Sequence, residues 1–446
     1  MNLATKPDFV LKRLAVSIGL SIFFLVVYGG TQTVAAARAH VPSFYFSWEP
    51  HVPFAAATII PYLSIDLFFV FAPFLIRDDR QLWAYARRVV AAVAIAGFFF
   101  VVLPLKFAFA RPEVQGRVGF VFKQFQRADK PFNQLPSLHI ALLLIFGDVF
   151  LRNTRGRIRL CLVVWFCLIA ASPLLVYQHH VIDLIGGLVL GLVCLHFIPD
   201  VSRRRAFEPN RRIGVFYISA ACVLTCISLR MGKASWPLWW PILSLALVAV
   251  GYVFLGPSVY AKDNGRLPWT TRLLFWPILL GQHASLWWYA RRSRPYDAVT
   301  GRLWIGRLLS RREAKLARQA GVGAVIDLTC EFDEPSEFRS LPYLNVAALD
   351  LTAPTQPQID QAIAFAGEHE KTSIVYVHCK AGYSRTSVVA AAYLLATCRA
   401  DTVDQAIALL RRARPSLVVR SEARRAIETF HRRIAPCRSP DQTLIN

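Results

Sequence analysis

The chain has 446 residues, a formal charge of +23 and a mean hydropathy of +0.40, with 55% hydrophobic and only 18% charged residues. That composition excludes a single soluble domain and predicts a membrane protein of two or three domains. The positive charge suits anionic lipid surfaces and phosphorylated substrates better than nucleic acid, which is not expected as a partner.

The apolar runs lie almost entirely before residue 290. They cover 14–36, 55–76, 89–108, 138–151, 158–176, 181–198, 213–231 and 236–255. Each is near the ~20 residues that a spanning helix needs, the fourth being short. The expectation is a polytopic α-helical membrane bundle of about eight transmembrane helices. Lys6, Lys12 and Arg13 precede the first run, and an AAARA stretch at its end could mimic a signal-peptidase site. A retained first helix is favoured, because it gives the later motifs their parity. Basic residues follow every even-numbered run: Arg77, Arg80, Arg87 and Arg88, then Arg152, Arg155, Arg157 and Arg159, then Arg203, Arg204, Arg205, Arg211 and Arg212. Those loops and the N-terminus are predicted to be cytoplasmic.

The opposite ends of the same helices carry the polar chemistry. The third run ends in KFAFARP, with Lys106 and Arg111; the fourth begins with PSLH, with Ser137 and His139; the sixth begins with HHVID, with His179, His180 and Asp183. In a helical start, His179 and Asp183 share a face. Asp183 can hold the imidazole tautomer so that His179 attacks as a nucleophile, and His139 can protonate a leaving oxygen. Lys106, Arg111 and Ser137 can hold the phosphoryl group. Asp66 and Asp148 lie within apolar runs, where a carboxylate usually faces a bundle interior, in a structural or a catalytic role. Gly186, Gly187 and Gly191 predict close helix packing.

Residues 10–200 resemble the type 2 phosphatidic acid phosphatase (PAP2) superfamily, six helices with three motifs. PSLH in place of the commoner PSGH looks closer to the inositol-phosphorylceramide-synthase-like branch, whose members transfer phospho-headgroups. The resemblance implies hydrolysis or transfer of a lipid phospho-headgroup through a phosphohistidine. Two departures stand out: four residues rather than six separate Lys106 from Arg111, and Ser172 is followed by Pro173 where the family has an arginine.

Residues 201–294 are expected to hold the additional transmembrane helices and a linker. The stretch 257–272 is polar, and 273–289 has apolar length but contains Pro277, Gly281, Gln282 and His283. Trp287, Trp288 and Tyr289, followed by Arg291, Arg292 and Arg294, favour an interfacial segment over a ninth crossing.

From residue 295 to 446 the pattern is that of one soluble α/β domain. Strands are predicted at 303–308, 323–329 and 343–346, and helices at 310–321, 357–369, 402–413 and 422–432. Ser310 and Glu313 form a capping box. An apolar strand at 374–377 leads into HCKAGYSRTS at 378–387, and a helix-forming run follows. A loop between a strand and a helix N-terminus gathers backbone N–H groups and dipole potential at one point. That environment favours the Cys379 thiolate, the nucleophilic form. Arg385 can grip two phosphate oxygens at once, and Gly382 lets the loop approach an anion closely. Arg411, Arg412, Arg414, Arg420, Arg424 and Arg425 read as a basic surface, either solvated or docked on anionic headgroups. Asp327 and Cys330 read as structural. No CxxC pair or metal spacing is present, and neither a metal nor a cofactor is expected.

Residues 378–387 resemble the signature of the cysteine-dependent phosphatases, in particular the dual-specificity branch: His378, Cys379, five residues, Arg385 and Thr386. The resemblance implies a phosphocysteine intermediate, phosphate held by the loop that carries Gly382, Ser384 and Thr386, and an upstream aspartate as general acid. Asp350, 29 residues before Cys379, is the best match. Lys380 lies in the loop as in members acting on phosphatidylglycerophosphate or phosphoinositides.

The whole reads as a bifunctional phosphatase/phosphotransferase of a bacterial-type inner membrane, with the cysteine domain in the cytoplasm, where a thiol stays reduced. Lipid phosphates and an anionic membrane surface are the expected partners. The alternative is a membrane-anchored protein phosphatase acting on phosphoproteins, with a non-catalytic membrane half.

Overall fold

The computed structural model describes residues 7–201 and 205–434; Lys6, Arg203 and Arg204, counted above among the flanking charges, lie outside them. The chain divides into two compact units, 1–202 and 203–446.

The first unit is helical: α1 (Pro7–Ala36), α2 (Ile59–Leu75), α3 (Asp79–Val102), α4 (Gly116–Ala128), α5 (Leu138–Asn153), α6 (Gly156–Leu175) and α7 (Val181–Phe197). Four of its stretches are long and apolar enough to cross a membrane: Pro7–Ala36, Ala56–Leu75, Asp79–Val102 and Gly156–Leu175. The helices α5 and α7 are shorter, with 16 and 17 residues. They pack closely because α7 carries glycines at the crossing. A Cβ at Gly187 would lie 2.9 Å from that of Ile140, and one at Gly191 would lie 2.7 Å from a Leu144 methyl.

Two boundaries differ from the hydropathy reading. The helix α3 begins at Asp79, where the Asp78 side chain caps it by accepting from the Gln81 N–H. Arg80, Arg87 and Arg88 are therefore helical, and Arg88 is no loop charge. It is only 3% exposed and pairs with Asp148 at 3.2 Å and Asp200 at 2.9 Å. Asp148 also takes Arg152 at 2.7 Å, so its role is structural. At its other end α3 stops at Val102, because Pro104 supplies no N–H and forces the preceding residue out of helical geometry. Lys106 and Arg111 consequently sit beyond the helix on an irregular stretch. The helix α4 has no counterpart among the apolar runs. Its apolar side chains, Val118, Phe122 and Phe125, recur on one face among polar ones.

The second unit begins with α8 (Arg211–Met231) and α9 (Trp239–Val250), whose helical path continues through irregular turns to Tyr260. The stretches Arg211–Met231 and Ala234–Tyr260 are also long and apolar enough to cross a membrane. Then come α10 (Trp269–Leu274) and α11 (Trp276–Ala290). The polar stretch before α10 is bound into the domain that follows. Lys262 buries its ammonium 2.5 Å from Asp327 and 2.9 Å from the Thr329 hydroxyl, and Arg205 holds Asn345 at 2.6 Å.

That domain contains β1 (Tyr296–Ala298), β2 (Leu303–Arg307), α12 (Arg311–Gln319), β3 (Val322–Thr329), α13 (Ser336–Arg339), β4 (Tyr343–Ala348), α14 (Gln356–His369), β5 (Ile374–Cys379), α15 (Ser384–Ala396), α16 (Val403–Ala413) and α17 (Ser421–Arg433). The sheet order is β1-β2-β5-β3-β4, with β1 antiparallel to β2 and the other pairs parallel. The central β5 is buried on both faces, as parallel strands require. Val375, Val377 and Cys379 face the layer of α14–α17, while Tyr376 faces α12 and α13. This alternation puts Cys379 at the C-terminal edge of the sheet, under the start of α15.

Candidate active sites

The turn from β5 into α15 is made by Lys380, Ala381, Gly382 and Tyr383. Gly382 has φ +72°, and a Cβ there would run into the backbone of Gly306 and Arg307. Arg385, in the first turn of α15, is buried and held from behind by Glu331, with Nη2–Oε1 at 2.7 Å and Nη1–Oε2 at 3.2 Å. Its Nη1 also donates to the Ala348 carbonyl at 2.8 Å. The guanidinium is thus fixed at two edges, with Asp350 Oδ1 3.3 Å away.

Burial alone would push the Cys379 thiol up. The Arg385 charge, the buried Thr386 hydroxyl and the amides of Thr386 and Tyr383 outweigh it and bring the group below its usual range. Asp350 follows the same balance. Burial favours its neutral form, but Arg385, and Lys380 at 2.5 Å, hold it as a carboxylate below the usual range. Lys380 is no solvated side chain: it bridges Asp350 and, at 2.9 Å, the side-chain carbonyl of Gln282 on α11. His378 lies outside the pocket. Burial opposes its charge, yet Glu334 at 3.0 Å and Asp327 push its pKa up to about 9. It is buried under the strand end, beside Glu334.

Cys379, Lys380, Ser384, Arg385 and Asp350 line one cavity of about 540 Å³. The structure therefore brings the whole sequence-predicted set together, with Gly382 shaping the loop and Thr386 beneath it. It also adds residues that the sequence reading missed. Glu331 clamps Arg385, and Tyr217 of α8 and Gln282 of α11 stand in the cavity wall. Arg414 is a correction. Expected on the basic surface, it is 1% exposed. It donates to the carbonyls of Gly382 at 3.1 Å and Ala381 at 3.3 Å, and pairs with Asp297 at 2.6 Å. It comes after the last residue of α16, where the chain leaves the helical face that its neighbours follow.

In the first unit, His139 and His179 line a cavity of about 730 Å³ with Tyr28, Tyr62, Asp66, Asp129 and Asn133 among its other walls. His179 is not in the helix but one residue before its cap, His180; its Nδ1 lies 3.6 Å from Asp183. Asp183 spends one oxygen on the His180 N–H at 2.8 Å, closing a capping box. His180 is taken by Glu49 at 2.8 Å, which leaves His179 as the cavity histidine. His139 stacks on Tyr62 with centroids 4.5 Å apart. Ser137 is buried at the start of α5, and its N–H donates to the Asp183 carbonyl at 2.9 Å. Lys106 is exposed, and Arg111 bonds the Tyr177 carbonyl at 2.9 Å and the Gln178 side chain; neither lines this cavity. The early end of α3 is the physical reason. Asp129 was not foreseen. It accepts from Tyr28 at 3.0 Å, from Gln178 at 2.5 Å and from Gln32.

Comparison with known proteins gives two domains. Residues 304–433 match the family described as dual specificity phosphatase, catalytic domain, and residues 85–206 match the PAP2 superfamily. The chain is 30% identical over 181 residues to phosphatidylglycerophosphate phosphatase PTPMT2 of Arabidopsis thaliana, covering 37% of this chain and 75% of that protein. It is 28% identical over 182 residues to phosphatidylglycerophosphatase and protein-tyrosine phosphatase 1 of Rattus norvegicus, covering 37% and 91%. The crystal structure of PTPMT1 aligns with a TM-score of 0.28 and 23% identity, covering 31% of this chain and 94% of that one.

Proposed function

Because the chain belongs to the dual-specificity phosphatases in its C-terminal part and to the PAP2 superfamily in its N-terminal part, we propose that this membrane phosphatase hydrolyses the phosphomonoester of a membrane lipid at Cys379. One observation carries the reading: the cavity that holds Cys379, Arg385 and Asp350 is walled in part by Tyr217, Pro277 and Ile278, from helices of the apolar half of the same unit. The names of the relatives point to phosphatidylglycerophosphate as the first substrate to try.

The proposed chemistry follows from the geometry. An incoming phosphate draws Arg385 and Lys380 to its oxygens. Asp350 then loses two cationic neighbours and gains an anionic one, so it takes up a proton. The Cys379 thiolate attacks phosphorus; the bond to the leaving oxygen breaks as Asp350 gives that oxygen its proton. The phosphoryl group rests on sulfur, its oxygens held by Arg385 and the loop amides. Water then attacks phosphorus and gives its proton to Asp350, releasing phosphate and the thiolate. We place the phosphatase domain from residue 295 on the cytoplasmic side of the plasma membrane, where the thiol stays reduced.

For the N-terminal unit we propose action on phospholipid headgroups, with His179 as nucleophile, Asp183 behind it and His139 as acid. The shared cavity of the two histidines supports it. Asp129 on the same wall can accept a hydrogen bond from a hydroxyl-bearing acceptor, which suits transfer as well as hydrolysis. The test is phosphate release by full-length, detergent-solubilised protein in EDTA, from phosphatidylglycerophosphate, phosphatidic acid, phosphoinositides and a phosphotyrosine peptide. Cys379→Ser should abolish release from the lipid monoesters while His179→Ala spares it. Full lipid turnover in Cys379→Ser would sink the assignment.

A further inference from the structure

Part of the wall of the Cys379 cavity comes from α8 and α11. Ile278, Gly281, Gln282, Ser285 and Tyr289 recur at helical spacing, so one face of α11 is turned to the cavity. Trp276, Leu280, Trp287 and Trp288 of the same helix are exposed, and Arg291 and Arg292 stack on the last two rings at 3.7 and 3.5 Å. That outer face has the composition of a helix lying at a lipid headgroup layer. Tyr217 sits six residues into α8 from Arg211, about 9 Å along the axis at 1.5 Å per residue. If α8 spans from Arg211, that depth puts Tyr217 at the inner boundary of the headgroup layer, which is roughly 5–8 Å thick on each side. The cavity is therefore formed where a lipid presents its headgroup.

Within it, Gln282 has a defined position. Its carbonyl oxygen accepts from Lys380 at 2.9 Å, and the same ammonium donates to Asp350 at 2.5 Å. Gln282 and the proposed general acid share one cation, so Gln282 stands beside the group that must reach the leaving oxygen. It is on the leaving-group side of the phosphate. The amide nitrogen of Gln282 has no partner among the described residues, and it sits in the cavity wall with both donors unspent. When the phosphate takes Lys380, the carbonyl is released as well, and the whole amide is open to a hydroxyl group.

We propose that Gln282 is a specificity-determining residue of the Cys379 site: its amide hydrogen-bonds a free hydroxyl on the carbon next to the phosphorylated one, so that the preferred leaving group is a polyol headgroup. This rests on the lipid-monoester reading above and adds which headgroup chemistry the site selects. A site built to hydrogen-bond a hydroxyl rejects the analogue that lacks it, because its own polar group is then left unpaired.

The test is a substrate–residue cycle on full-length protein in nanodiscs. The probes are phosphatidylglycerophosphate and its analogue in which 1,3-propanediol replaces the headgroup glycerol, which removes only the neighbouring hydroxyl. Wild type should prefer the glycerol lipid at least tenfold in kcat/KM. Gln282→Leu should reduce that preference to twofold or less. Gln282→Asn, whose amide stops one carbon short, should lose most of it too, and it keeps the test alive if the leucine variant fails to fold. A preference unchanged in both variants, or absent in wild type, overturns the proposal while the lipid reading stands. If wild type turns over neither lipid but still hydrolyses p-nitrophenyl phosphate through Cys379, the lipid reading itself fails and this proposal falls with it.

Discussion

Arg414 offers the sharpest check on how the Cys379 loop is held. A trans peptide is planar, with the carbonyl of one residue and the N–H of the next on opposite sides. By bonding the carbonyls of Ala381 and Gly382 at 3.3 and 3.1 Å, Arg414 pulls them outward. It thereby turns the N–H groups of Gly382 and Tyr383 inward, toward the place of the anion. Arg414→Met keeps the unbranched apolar stem of the side chain and removes that tether. Deleting one preorganised donor to a developing oxyanion typically costs about 10²–10³ in rate. Here two donors stay but lose their aim, so we expect kcat/KM on p-nitrophenyl phosphate to fall about 10²-fold, near 2.7 kcal/mol.

The variant also leaves Asp297 without its 2.6 Å partner. Stranding a buried charge costs about 3–5 kcal/mol. The exposed Arg294, 3.5 Å away, remains and argues for the lower end. The double variant Asp297→Asn/Arg414→Met removes the stranded charge, so thermal stability should largely return while activity does not. Melting curves and initial rates on the same purified full-length protein separate the two effects. A double variant within threefold of wild-type kcat/KM would refute the argument that Arg414 orients the loop.

Glu331→Gln should lower kcat/KM about 10²-fold, because Arg385 loses the charge that fixes both of its edges and a displacement of 1 Å is enough for such a loss. Rates near wild type would mean that the carbonyls of Ala348 and Leu328 suffice to hold the guanidinium. The rate of Cys379 alkylation by iodoacetamide should rise with pH around a midpoint below the ordinary thiol value of 9.0, since the thiolate is already favoured there. In Arg385→Ala the midpoint should move up, because burial then faces less opposition. A wild-type midpoint at or above 9.0 would count against the electrostatic account of the loop.

Much of the α/β domain was readable because its signals are local. The strand before Cys379, the loop and the helix after it lie within one short stretch, and the capping box at Ser310 and Glu313 forms as expected. Asp350 was reachable because it follows a short strand upstream. Glu331 and Arg414 were not, although they hold the same loop. Arg385 and Glu331 are 54 positions apart, and Arg414 and Gly382 are 32. Composition marks Arg414 as one more arginine in a basic helix; only the turn of the chain after Ala413 sends it inward. A buried ion pair has no one-residue signature, because either partner alone reads as a surface charge.

The membrane half shows the same limit from the other side. Hydropathy found its long apolar helices but not the amphipathic α4, since apolar length is a property of a contiguous window. It mistook Arg88 for a loop charge because it cannot see that Asp148 and Asp200 wait for it across the bundle. It also passed over Asp129, whose partners Gln178, Gln32 and Tyr28 lie 49, 97 and 101 positions away. The family motifs drew attention to the groups that usually bind phosphate, Lys106 and Arg111; neither lines the cavity, and Arg111 stands behind its wall, bonded to Gln178 and over the Phe125 ring. What stands beside the histidines instead is a carboxylate held by two amides and a phenol. Gln178 ties that carboxylate to Arg111, so the one motif arginine reaches the cavity wall only through residues that no motif contains.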